Sequence, residues 1–229
     1  MVMHRIRVLL FCALSTFLVS SCADNQVPLE PLKFASYPLE LSKDCRDGRA
    51  KIYDQCSDQM VLLNAALEQA AAEDKLVLVS YGAEWCIWCH VFDLHLAGYF
   101  GEFEYTYGEP GDAQAATSKL YERSESDVRG QAIALNHFIA QNFVVAHIDY
   151  EFAPNSSEVL YQTEAYHHIG NWVPFIFVLD RDGKYVGEVV HDDVEVRRDF
   201  FIDWYRGYDR PKLIAVLKGL QDQALQSSD

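Results

Sequence analysis

Residues 76–90 read LVLVSYGAEWCIWCH. The first six, Leu76 to Tyr81, are mostly apolar, the make-up of a central strand buried on both faces of a sheet. Gly82 ends the run. Trp85-Cys86-Ile87-Trp88-Cys89-His90 then opens a helical segment reaching about Gly98. The reading therefore puts a Cys-x-x-Cys pair at a strand-to-helix junction. Cys89 lies about one turn beyond Cys86, near enough to close a disulfide. A helix N-terminus aims free N–H groups and the positive end of the dipole at the Cys86 sulfur, which favours the thiolate. A thiolate is what attacks a disulfide, and it needs access to solvent. Zinc sites and haem attachment also use Cys-x-x-Cys, so the remaining sequence has to choose.

Working outward, apolar residues recur at helical spacing from Ser57 to Asp74 (Met60, Leu63, Ala66, Leu67, Ala70, Ala71). Downstream, about 99–130 reads as an insertion, rich in Gly, Glu and Tyr and then polar and helical from Asp112 to Glu125. A helix from about Val128 to Gln141 leads into a second strand, Phe143–Asp149. Ser156 to His168 reads as a helix capped by Asn155 or Ser156. After Trp172-Val173-Pro174, Phe175–Leu179 is a strand. Asp180-Arg181-Asp182-Gly183 is a turn, and Lys184–Val190 the return strand. Two further helices are expected over Val194–Tyr205 and Pro211–Gln226. Parallel strands joined by helices, followed by an antiparallel hairpin, predict an α/β fold. Its central mixed sheet has about four strands, with helices on both faces and a helical or loop insertion.

The N-terminus reads as a leader. Arg5 and Arg7 precede a largely apolar run from Val8 to Val19, too short to span a bilayer. Val19-Ser20-Ser21-Cys22 resembles the lipobox of bacterial lipoproteins, which implies a signal peptide over 1–21, acylation of Cys22, and an anchored protein facing the periplasm or cell exterior. An ordinary signal peptide, with Cys22 incidental, is the alternative. Residues 22–44, with Pro28, Pro31 and Pro38, read as a tether carrying a short strand near its end. Residues 45–226 form the domain. The formal charge of −15 becomes −17 once two leader arginines and no acidic residue are removed. That charge excludes nucleic acid as a partner and electrostatic attachment to an anionic membrane. The lipid is thus the expected membrane contact.

With Cys12 in the leader and Cys22 at the lipid site, Cys45, Cys56, Cys86 and Cys89 remain. In an oxidising compartment an even remainder suggests pairing. Cys86 and Cys89 form one pair, leaving Cys45 and Cys56 as a structural disulfide; two free thiols or a second redox pair are the alternatives.

The stretch 76–90 looks like the active-site segment of thioredoxins. Asn171-Trp172-Val173-Pro174-Phe175, followed by a strand and an Asp-Gly turn, resembles the cis-proline loop and terminal hairpin of that family. The first helix, ending in Ala-Glu-Asp-Lys, is similar to thioredoxin-like domains of envelope proteins with a Trp-Cys-x-x-Cys centre. The resemblance implies a thiol–disulfide oxidoreductase that needs no cofactor and acts on envelope protein thiols and disulfides together with a redox partner protein. Cys86 and Cys89 do the exchange. It also implies a cis bond at Val173–Pro174 facing the cysteines. Trp85, Val173 and Pro174 would receive the substrate, with Val173 backbone groups free to pair with an extended segment. Thioredoxins carry a buried acid where this chain has Ser80, so proton transfer falls to Glu84 or to water.

His90, His167 and His168 raise a copper- or zinc-handling alternative with the cysteines. A redox-inert binding module is the other. The reading adopted is disulfide exchange with no metal.

Overall fold

The protein is described by a computed structural model over residues 30–107, 116–121, 128–200 and 203–226. The leader, Cys22 and parts of the insertion lie outside these residues. Among the described residues no helix is long and apolar enough to cross a membrane.

The chain enters the sheet with β1 (Ser36–Tyr37), then forms α1 (Gln59–Glu73), β2 (Leu76–Gly82) and α2 (Ile87–Leu96). The insertion supplies β3 (Glu102–Tyr107) and β4 (Ala116–Tyr121). Next come α3 (Val128–Asn142), β5 (Phe143–Asp149), α4 (Ser156–Gln162), β6 (Phe175–Leu179) and β7 (Tyr185–Glu188). The chain closes with α5 (His191–Val194), β8 (Glu195–Phe200), β9 (Asp203–Tyr208) and α6 (Arg210–Gln226). The main sheet has the order β1-β5-β2-β6-β7. β5 runs parallel to β1 and β2, while β6 and β7 are antiparallel. This is the mixed, two-faced, thioredoxin-like architecture expected, with the two-residue β1 as a fifth, edge strand.

Every residue of β2, β5 and β6 is buried, which is why these strands are continuous apolar runs rather than alternating ones. One face packs Leu78, Val145 and Val178 against Phe92 of α2, Leu135 of α3 and Leu217 of α6. The other packs Val79, Val144 and Phe177 against Leu63 and Ala66 of α1 and Val159 of α4. Asp58 caps α1, its carboxylate accepting from the Met60 amide at 2.8 Å. Gly183 closes the β6–β7 turn at φ +75°, a conformation that favours glycine.

Four expectations are corrected. Within Asp112–Glu125 the described part, Ala116–Tyr121, is a strand paired antiparallel with β3 rather than a helix. The polar–aromatic alternation Glu102-Phe103-Glu104-Tyr105 is a period-two signal, and it carries its partner strand with it. The helix expected over Val194–Tyr205 is instead the single turn α5 followed by the β8–β9 hairpin. The guanidinium of Arg198 lies 4.3 Å from the Tyr205 ring directly across that hairpin, and Arg206 donates to Asp199 at 2.6 Å. The helix expected to run to His168 ends at Gln162. There the Thr163 hydroxyl donates back to the Val159 carbonyl at 2.7 Å, Glu164 takes φ +66°, and a 3-10 turn covers Ala165–His167. Finally, Asn155 precedes α4 but makes no capping bond; its amide donates to Asp58 instead.

Part of the stretch read as a tether is bonded to the fold. Asn136 brackets Leu32 with bonds to both its amide (2.6 Å) and its carbonyl (3.0 Å), and Ser36–Tyr37 joins the sheet edge.

Candidate active site

β2 delivers Gly82 to the end of the sheet, and after three intervening residues the chain turns into α2 with Cys86 as its N-cap. The Cys86 sulfur accepts from the Cys89 amide at 3.3 Å, so it occupies the place where a helix start offers unpaired N–H groups. Both cysteines are reduced. The Val173–Pro174 peptide is cis, and the Val173 carbonyl lies over Cys86, accepting from its thiol at 3.4 Å. Two expectations change here. Cys86 is only 3% exposed, not open to solvent, and the Val173 carbonyl is engaged rather than free. Trp85 and Trp172, the residues just before Cys86 and Val173, are exposed at 53% and 77%; the Trp85 indole donates to Glu151 at 2.8 Å.

Cys89 lies beneath, fully buried. Burial, followed by the neighbouring Cys86, pushes its thiol well above the ordinary value. Its surroundings come from a segment that the sequence offered only as a staple. Cys45 and Cys56 are bonded to each other, and between them Tyr53 projects into the core at 0% exposure, in one buried cluster with Cys86 and Cys89. Its hydroxyl shares a hydrogen bond of 2.9 Å with Ser80. On the strand beside Ser80, His147 is buried with its ring edge against Tyr53 and its Nε2 3.2 Å from Asp93 of α2.

Glu84 holds this segment in place. Its carboxylate accepts from the amides of Ile52 (3.1 Å) and Tyr53 (3.0 Å) and lies 3.3 Å from His90. Burial pushes the Glu84 carboxyl up, but His90 and the neighbouring amides outweigh it and hold it below the ordinary carboxylate value. The group suggested for proton transfer is thus occupied as a clamp. The far end is fixed by Gln59, which donates to the Asp54 carbonyl at 2.8 Å and accepts from the Asp149 amide at 2.8 Å. His90 also bonds the Glu84 carbonyl at 2.6 Å, and His168 stacks on Tyr185 at 4.1 Å. Among the described residues the only grouping of three metal-ligand types is Cys45, Asp54 and Cys56, whose sulfurs are joined to each other.

The proline loop has its own support. His191 of α5 bonds the Pro174 carbonyl through Nε2 at 2.6 Å and Glu195 through Nδ1. Burial pushes its pKa down, but Glu195 and the Pro174 carbonyl outweigh that and leave it raised. Both partners are acceptors, so both nitrogens donate and the ring is held as imidazolium. On the other side the β8–β9 hairpin covers α2: Tyr208 packs edge-on to Trp88 and donates to its carbonyl at 3.3 Å.

Sequence reading named Cys86, Cys89, Val173 and Pro174, and the structure brings these four together. Tyr53, His147 and His191 were missed as parts of the site. The spacing of Tyr53 carries no signal, because its position follows from the 45–56 loop folding back across the sheet end.

No protein-family model matches the chain, and no curated protein matches it. Among solved structures it is similar to a disulphide isomerase from Xylella fastidiosa Temecula1, at 18% identity over 75% of this chain and 92% of that one, with a TM-score of 0.35.

Proposed function

We propose that this protein is a thiol–disulfide oxidoreductase of a bacterial cell envelope, exported by residues 1–21, anchored by a lipid on Cys22, and working through Cys86 and Cys89 of a domain over 45–226. The observation that carries the reading is the stack at the head of α2: the Cys86 sulfur on the helix N-terminus, the Val173–Pro174 loop above it and buried Cys89 below.

Cys86 thiolate attacks one sulfur of a partner disulfide. A Cys86–partner bond forms, the partner's own S–S bond breaks, and its other sulfur leaves as a thiolate. Cys89, deprotonated, then attacks Cys86; the internal disulfide forms and the second partner thiolate departs. Two electrons pass to the partner, and its two thiolates take up the protons that the cysteines lost. The reverse sequence oxidises a partner dithiol, and relative potentials decide which way the exchange runs. Trp85 and Trp172 form an exposed aromatic rim on which an unfolded segment can rest, and Pro174 fixes the loop it meets.

A Cys89→Ala variant expressed in its host tests the reading. Cys86 should then accumulate mixed disulfides with exported proteins, released by reductant and abolished by a further Cys86→Ser change. An empty trap with normal function retained would overturn exchange. Capture of cytosolic partners alone would overturn the location.

A further inference from the structure

Ser80 stands where a buried acid would otherwise serve the second cysteine, which leaves open what permits an enclosed thiol to ionise. An unassisted thiolate in an apolar pocket is disfavoured by desolvation. Of the groups around Cys89, Glu84 is taken up by the Ile52 and Tyr53 amides and by His90. His147 is directed to Asp93. Tyr208 of β9 donates its hydroxyl proton to the Trp88 carbonyl, and Cys86 opposes a second negative charge beside it.

Tyr53 is different. Its hydroxyl hydrogen-bonds Ser80 at 2.9 Å, and its side chain packs with Cys89 in one buried cluster. Gly82 leaves the space for this: a Cβ there would sit 2.6 Å from the Cys89 sulfur and 2.6 Å from the Tyr53 hydroxyl.

Resting on the exchange reading above, we propose that Tyr53 is the hydrogen-bond donor that stabilises the Cys89 thiolate during resolution of the mixed disulfide, with Ser80 as the positioning residue behind it. Ser80 donates to the Tyr53 oxygen, which turns the phenol proton toward Cys89. A neutral donor suits this pocket better than a carboxylate, since an anion beside a forming thiolate would repel it. Tyr53 keeps its proton throughout, in keeping with a phenol that burial pushes well above its ordinary value. The proton released by Cys89 passes to solvent, and the leaving thiolate takes one up from there.

One equivalent of a symmetrical chromogenic aromatic disulfide, mixed with reduced protein, separates the steps. The first coloured thiol is released when Cys86 attacks and the second when Cys89 resolves. Tyr53→Phe should leave the first phase unchanged and slow the second about tenfold near neutral pH, the effect expected for one hydrogen bond to a charged group. The deficit should close as pH rises far enough to ionise Cys89 without help. Ser80→Ala should show a smaller deficit of the same form, and the double variant should be no slower than Tyr53→Phe alone.

A second phase equal to wild type in both variants at every pH would overturn the role. So would a deficit that persists unchanged at high pH, since that marks a displaced sulfur rather than a lost donor. If Tyr53→Phe does not fold, Ser80→Ala decides by the same criteria. Absence of both phases in the wild-type protein would instead overturn exchange itself, and this role with it.

Discussion

A methyl group on Gly82 would meet the Cys89 sulfur and the Tyr53 hydroxyl, both fully buried and both held by other contacts. Neither can retreat as a flexible side-chain end could. Gly82→Ala is therefore expected to destabilise the fold by about 1–3 kcal/mol, the usual penalty for overpacking a closed core. The midpoint of urea unfolding at constant slope measures this, and an unchanged midpoint would show that the pocket yields. At this scale the sequence was legible where chemistry and local geometry coincide, as at Cys86, Cys89 and Pro174. It was silent at Tyr53, a tyrosine between Ile52 and Asp54 with nothing in its neighbours to mark it. Its importance comes from a contact with Ser80, 27 residues away.

Among the elements, the buried strands β2, β5 and β6 and the long helices were readable because each follows one dominant period. The β8–β9 hairpin was not, because its pairing rests on cross-strand contacts such as Arg198 with Tyr205, which a linear period cannot register. That hairpin meets α2 through His95. The imidazole is buried and neutral: Nδ1 donates to the Val91 carbonyl at 2.9 Å and Nε2 accepts from the Tyr208 amide at 3.4 Å. Burial, with the nearby Arg210 cation, pushes its pKa down to about 3. Below about pH 6.5 the unfolded chain binds a proton at His95 that the folded protein refuses, so stability falls as pH falls. The slope from this residue approaches about 1.4 kcal/mol per pH unit and ends near the folded pKa. His191 works in the opposite sense, since its raised pKa contributes stability below about 6.5 that is lost as pH rises through the folded value. Urea unfolding across the acid range should show the His95 slope, and His95→Gln, which does not titrate, should flatten it. An identical acid slope in both proteins would assign the loss elsewhere.

At the scale of the whole molecule, the sheet and its two helical layers form one unit, and the segment from Cys45 to Cys56 is laid across the end where the cysteines emerge. It is fixed three times: by its own disulfide, by Glu84 gripping the amides at 52 and 53, and by Gln59 bridging to Asp149. The disulfide spans a sequence separation of 11, and closing so short a loop contributes about 2–3 kcal/mol. A Cys45→Ala/Cys56→Ala double variant should lose about that much in chemical unfolding while keeping the slope of the transition. Unaltered stability would mean that Glu84 and Gln59 hold the segment unaided. Neither anchor was legible in the sequence, because each joins residues that only the fold brings together.

The same segment bears on where the working unit begins. A shortened chain starting at α1 would keep β2, β5, β6 and β7, Cys86 and Cys89, and the cis proline. It would lack the floor beneath Cys89, because the residue filling that space is supplied from outside the helices and strands that define the fold. Anyone trimming or transplanting this domain should therefore keep the chain from β1 through the 45–56 loop, since the edge strand of the sheet and the residue beneath Cys89 both lie ahead of α1.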